Sequence, residues 1–109
     1  MRKTSSTNFV NRRFLSYDCP MTVALEMISG RWKMQILYCV HFGENRFSTI
    51  KKRIPRISDR MLGLRLGDLI EDGLILKSIQ GDDVVYALTA KAQRLIPVLN
   101  QITDWYVGK

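Results

Sequence analysis

Apolar residues recur at helical spacing over most of the chain, and glycine, proline and capping residues divide them into segments. Val23, Ala24, Met27 and Ile28 fall three and four apart, with Asp18 placed to cap, Pro20 suited to a first turn and Gly30 as a stop. This predicts a first helix over 20–29. Trp32, Ile36, Leu37 and Val40 continue the period until Gly43, predicting a second helix over 31–42. Ser48 as an N-cap, with the apolar pair Ile50 and Ile54 before Pro55, predicts a short third helix. Ser58 caps a fourth helix, where Met61, Leu62, Leu66, Leu69 and Ile70 form one apolar stripe that runs to an Asp72-Gly73 stop. The β-branched and aliphatic runs 74–79 and 84–88, separated by Gln80-Gly81-Asp82-Asp83, predict a hairpin. Thr89 caps a last helix over 90–106. Pro97 lies inside it, where it removes one backbone hydrogen bond and costs about 3 kcal/mol unless packing offsets it. A kinked helix packed on something is expected.

Four helices, a hairpin and a last helix predict a mainly α fold with a small β-hairpin wing, a winged helix-turn-helix. The third helix, its short connection and the fourth helix are the helix-turn-helix. A length of 109 residues with 46% hydrophobic content suits one domain, expected over 18–109, while the polar, basic stretch 1–17 has no period and is expected to be a flexible arm. Charges interrupt every apolar run before the roughly 18 to 20 residues that a membrane span requires, and no apolar core of a signal peptide follows the basic start. The expectation is a cytoplasmic protein without a membrane partner.

The net charge of +7 is unevenly placed: residues 1–65 hold thirteen Lys or Arg against four acids, and residues 66–109 hold four against six. Arg46, Lys51, Lys52, Arg53, Arg56, Arg60 and Arg65 fall within twenty positions that contain a single acid, Asp59. Such a cluster suits double-stranded DNA, whose phosphates need neutralising. Residues near the start of the second helix of a helix-turn-helix reach base edges in the major groove. Arg60 and Arg65 are therefore the candidates for base contact, and Leu64 for a thymine methyl. Lys51, Lys52, Arg53 and Arg56 are candidates for phosphate. Arg46, Ser48, Ser58, Asp59 and Lys77 complete the candidate interface.

Other chemistry is sparse. One histidine, no phosphate-binding glycine loop, no metal spacing and no nucleophile elbow argue against an enzyme, and no cofactor or metal is expected. Two cysteines, Cys19 and Cys39, are too few for a disulfide scaffold. Cys39 reads as core. Cys19 stands beside a helix N-terminus, which lowers a thiol pKa, although Asp18 acts against that shift. Trp32, Phe42, Phe47, Met27 and Met34 read as core or as the lining of a small-molecule pocket, and His41 as a helix C-terminal cap.

The ordered set Cys19-Pro20, Gly30-Arg31-Trp32-Lys33, Arg46-Phe47, Ile54-Pro55-Arg56-Ile57-Ser58, Met61-Leu62, Leu66, Leu69, Glu71-Asp72-Gly73-Leu74, Tyr86-Ala87-Leu88-Thr89, Pro97 and Trp105 resembles the HxlR-type winged helix-turn-helix regulators, relatives of the MarR proteins. The resemblance covers 18–106. It implies a transcriptional regulator acting as a homodimer on a palindromic operator, with the first and last helices of each subunit packed together. Val23, Met27, Leu95, Val98, Leu99, Ile102, Trp105 and Tyr106 are the candidate dimer residues, and the wide apolar face of the last helix also calls for a partner. It further implies Cys19 as a candidate sensor of oxidants or electrophiles, since family members commonly carry a cysteine there. The chain departs from the pattern at Gly63, Leu64 and Gly67 on the reading helix, and in a short wing that lacks prolines and carries Asp82 and Asp83. Those departures keep an alternative open: a winged-helix protein-interaction module, or a weak DNA binder with no sensing role.

Overall fold

The computed structural model describes residues 19–109, which divide into two units, 19–31 and Trp32–Lys109. The expected arm and the Asp18 cap lie outside the described residues. In the first unit, helix α1 spans Pro20–Ser29 with Pro20 in its first turn. Its N-cap is Cys19, whose carbonyl accepts the Val23 N–H at 3.0 Å without help from its side chain. Met21, Val23 and Leu25 are exposed, while Met27 and Ile28 are half-buried.

The second unit is built around α2, Lys33–His41, which packs against the other helices of the unit and the second wing strand. The helix begins two residues later than the period predicts, because Trp32 has φ 75, and a left-handed residue cannot lie inside a right-handed helix. Its far end closes as a Schellman motif: Gly43, at φ 106, donates to the Val40 carbonyl, and Glu44 to that of Cys39. His41 is the last helical residue, and Phe42 holds the capping position.

Helix α3 is Phe47–Arg53. The expected N-cap, Ser48, is its second residue; Arg46 occupies the cap, and the Thr49 hydroxyl accepts the Arg46 N–H at 3.2 Å. Threonine serves here from the position where a capping-box partner normally sits. Helix α4 spans Asp59–Glu71 and does start from Ser58, whose hydroxyl oxygen accepts the Met61 N–H at 3.0 Å. Gly73, at φ 77, ends it in a second Schellman motif, with Leu74 donating to Leu69 and Gly73 to Ile70. That closure uses Leu74, so strand β1 begins at Ile75 instead.

Strands β1 (Ile75–Gln80) and β2 (Asp83–Leu88) pair antiparallel from Ile75 opposite Leu88 to Gln80 opposite Asp83. Gly81 and Asp82 make a two-residue turn, and glycine first at φ 65 matches the type II′ preference of such turns. Beyond the hairpin, Asn45 contributes one backbone bond, its carbonyl accepting the Tyr86 N–H at 2.9 Å. Helix α5, Ala90–Val107, is capped by Thr89 and runs unbroken through Pro97. The core holds Ile36, Leu37, Ile50, Ile57, Leu62, Leu69, Leu74 and Ile75, all fully buried. Leu62 and Leu69 lie on one face of α4, which leaves the opposite face to solvent. No helix among the described residues is long and apolar enough to cross a membrane.

Candidate nucleic-acid interface

With Leu62, Leu66 and Leu69 buried, the 3.6-residue period turns Arg60, Leu64 and Gly67 outward, with Gly63 beside them. All four are exposed, and Leu64 is 51% exposed. A Cβ added at Gly63 or Gly67 would meet nothing within 4 Å, so packing within the chain does not require either glycine. Together they leave a low strip along the outer face of α4, flanked by one long cation and one branched apolar side chain.

The basic residues sort into those that serve the fold and those that remain available. Lys33 is 6% exposed, the buried charged residue of the described chain, and its Nζ donates to Asp72 Oδ2 at 2.8 Å. A carboxylate at a helix C-terminus faces the negative end of the helix dipole, and this ammonium offsets it. Around the same point Lys91 donates to the Asp72 carbonyl at 3.4 Å, and the Thr89 hydroxyl to the Gly73 carbonyl at 2.7 Å. The C-terminal end of α4 is thereby tied to α2 and to the start of α5. Lys51, expected on phosphate, donates to the carbonyls of Pro55 and Ile57 and so holds the turn between α3 and α4.

Arg65, expected on a base edge, is only 28% exposed at its side chain and pairs with Asp68 at 2.7 Å along its own helix. Its position beside the buried stripe explains this, because residue 65 follows Leu62 by three and precedes Leu66 and Leu69. Arg53 pairs with Glu44 at 3.3 Å, and Arg46 with Asp83 at 3.2 Å. The second pair neutralises Asp83, one of the two wing acids. Lys52, Arg56, Arg60 and Lys77 are exposed, with no ion pair or side-chain hydrogen bond to the described residues. Ser48 and Asp59 are exposed in the first turns of α3 and α4. Lys52 on α3, Arg56 in the turn and Arg60 on α4 fall on three successive segments of the helix-turn-helix.

Sequence reasoning overlooked the role of Lys33. The signal was present: Lys33, Ile36, Leu37 and Val40 form a single i, i+3, i+4, i+7 stripe, so a lysine there had to bring its charge to a buried partner. The locks on Lys51 and Arg46 depend on turn and wing geometry.

Neither described cysteine forms a disulfide. Cys19 is 8% exposed. Burial pushes the Cys39 thiol above its ordinary range and Glu44 adds to this, against the opposing field of Arg53. That favours the neutral thiol and fits a packing residue. On α5, Leu99 is buried in the unit and Leu95 half-buried, whereas Val98, Ile102, Trp105 and Tyr106 are exposed. Phe42, expected in a core or a pocket, is 68% exposed.

A helix-turn-helix with an outward-facing second helix, a following hairpin and a strip of available cations defines a DNA-binding transcriptional regulator of the winged helix-turn-helix class. Residues 27–108 match the model of the HxlR-like helix-turn-helix family, and the chain belongs to that family. An HTH-type transcriptional regulator of Methanothermobacter thermautotrophicus is 38% identical over 92 residues, which cover 82% of this chain and 70% of that one. Among solved structures, the reduced form of the transcriptional regulator YodB from Bacillus subtilis superposes with a TM-score of 0.74 at 29% identity, covering 80% of this chain and 89% of that one. The redox regulator HypR in its oxidised form gives a TM-score of 0.73 at 31% identity, covering 84% and 97% respectively. The family and these relatives are transcriptional regulators and not enzymes.

Proposed function

We propose that this regulator acts as a homodimer on a palindromic operator, with the outer face of α4 in the major groove of each half-site. The observation that carries the reading is the set of available cations, Lys52, Arg56 and Arg60, distributed over both helices and the turn of the helix-turn-helix. In this reading Arg60 contacts a base edge, Leu64 packs on a thymine methyl, and Lys52 and Arg56 hold phosphates. Arg65 braces the helix through Asp68, so base readout rests on fewer residues than the charge of the segment suggests. Val98, Ile102, Trp105 and Tyr106 support the dimer: four exposed apolar side chains on one helix form a patch that a second copy would remove from water. Sedimentation should show a dimer at micromolar concentration, and a monomer would count against this half of the proposal.

Cys19 is proposed as an oxidant- or electrophile-responsive thiol. Support comes from its place as N-cap of α1 and from YodB and HypR, whose structures are described by redox state. Diamide should alter operator affinity in the wild type and not in Cys19→Ser; a response that survives the substitution removes Cys19 from the mechanism.

A further inference from the structure

A cleft of about 570 Å³ opens between the end of α2, strand β2 and the middle of α5, and its walls include His41, Asn45, Tyr86, Gln93, Ile96 and Pro97. Its volume lies within the range of about 300 to 1,000 Å³ typical of small-molecule sites. None of the aromatic and methionine residues expected from the sequence to form a pocket lines it, and neither does any Asp, Glu, Lys or Arg. No side chain of fixed charge in the lining would pair with an ionic ligand, which favours neutral ligands.

Two polar groups of the lining residues bear on what the cleft could hold. In an α-helix the carbonyl of Gln93 accepts the N–H four residues on, but that residue is Pro97, which has none. The missing ladder bond therefore falls at the cleft, because Gln93 and Pro97 both line it. Tyr86 is 8% exposed, and its hydroxyl has no hydrogen bond to any described residue. Burial pushes the Tyr86 phenol above its ordinary range, so it remains a neutral donor and acceptor. Ile96, Pro97 and the ring of Tyr86 supply apolar surface between these groups.

We infer that this cleft is a binding site for a neutral, ring-sized small molecule whose hydroxyl donates to the Gln93 carbonyl, taking the place of the N–H that Pro97 lacks, with the Tyr86 hydroxyl as a second polar contact. The interior proline then has a binding role: it exposes an acceptor on an otherwise saturated helix. Because β2 belongs to the wing and α5 carries the exposed apolar patch, the bound molecule would touch both. The site itself does not depend on the operator reading.

The test uses a matched pair, para-fluorophenol and para-fluoroanisole, which share a ring and differ in the hydroxyl donor. Titrated into the full chain and followed by amide and fluorine NMR, the phenol should shift the amides of His41, Asn45, Tyr86 and Ile96. It should bind about fivefold more tightly than the anisole, the factor expected for one net hydrogen bond. Pro97→Ala restores the N–H that occupies the Gln93 carbonyl and should reduce the phenol to the affinity of the anisole, in a helix that is more stable. No saturable shift with either compound at millimolar concentration, shifts at other residues, equal affinities in the wild type, or a preference that survives Pro97→Ala would each overturn the inference.

Discussion

The two ends of α4 are built in opposite ways. At its C-terminal end, Asp72 is gripped by buried Lys33, Gly73 and Leu74 close a Schellman motif, and Thr89 reaches back from α5. At its N-terminal end the helix starts from the Ser58 cap after a turn that Lys51 holds, and Arg60, Gly63 and Leu64 on its outer face make no such connections. A helix anchored at its ends and bare along its outer face is held at a set angle while its surface stays free for a partner. The difference also separates two uses of positive charge that composition cannot distinguish. Lys33 and Lys51 organise the fold; Lys52, Arg56 and Arg60 are left for phosphates and bases.

The comparison breaks most visibly at the fixed end. Lys33→Met keeps the aliphatic stem but strands Asp72, and should cost about 3 kcal/mol, the low end for a broken buried pair because Asp72 is itself 29% exposed. Urea unfolding would show a lower midpoint with little change in slope, and an unchanged midpoint would mean that the pair does not hold the helix. At the bare end the same experiment should show nothing for Arg60→Ala. That variant should instead lose about 1 to 3 kcal/mol of discrimination at one base pair of the operator, read by competition between operator variants.

Smaller effects sharpen the picture. Ser58→Ala removes the single cap at the free end and should cost about 1 kcal/mol in thermal unfolding, while Ser48→Ala, which caps nothing, should be silent. Gly63→Ala and Gly67→Ala have open space for the added methyl and should each raise stability by up to about 1 kcal/mol. If DNA lies close along that strip, both should weaken operator binding as they stabilise the chain. Stabilisation with unchanged affinity would place the DNA further away. Only a small effect is expected at Arg46→Gln, whose pair with Asp83 is exposed on both sides and is worth well under about 1 kcal/mol.

The fold was largely legible in the sequence because its signals are local. The leucine stripe and Ser58 cap defined α4, the glycine-aspartate stops placed helix ends, and the Gln80–Asp83 stretch placed the hairpin. Errors arose where one residue's backbone or a neighbour's side chain decided. Trp32 in the left-handed region delayed α2, Thr49 replaced Ser48 in satisfying an N-terminal amide, and the closure after Gly73 took Leu74 out of the strand. The candidate interface was legible as a segment but not residue by residue. A list of cations records charge and spacing; whether Lys51 faces phosphate or two carbonyls, and whether Arg65 faces a base or Asp68, depends on geometry that spacing does not contain.

The most direct test is selection of bound sequences from a random duplex pool by the wild type and by Arg60→Ala. The wild type should enrich a two-fold symmetric motif with half-site centres one helical turn or a multiple of it apart, and Arg60→Ala should lose preference at one position in each half-site while keeping the rest. No enriched motif, or an identical motif from the variant, would contradict the assignment of the outer face of α4 as the surface that reads DNA.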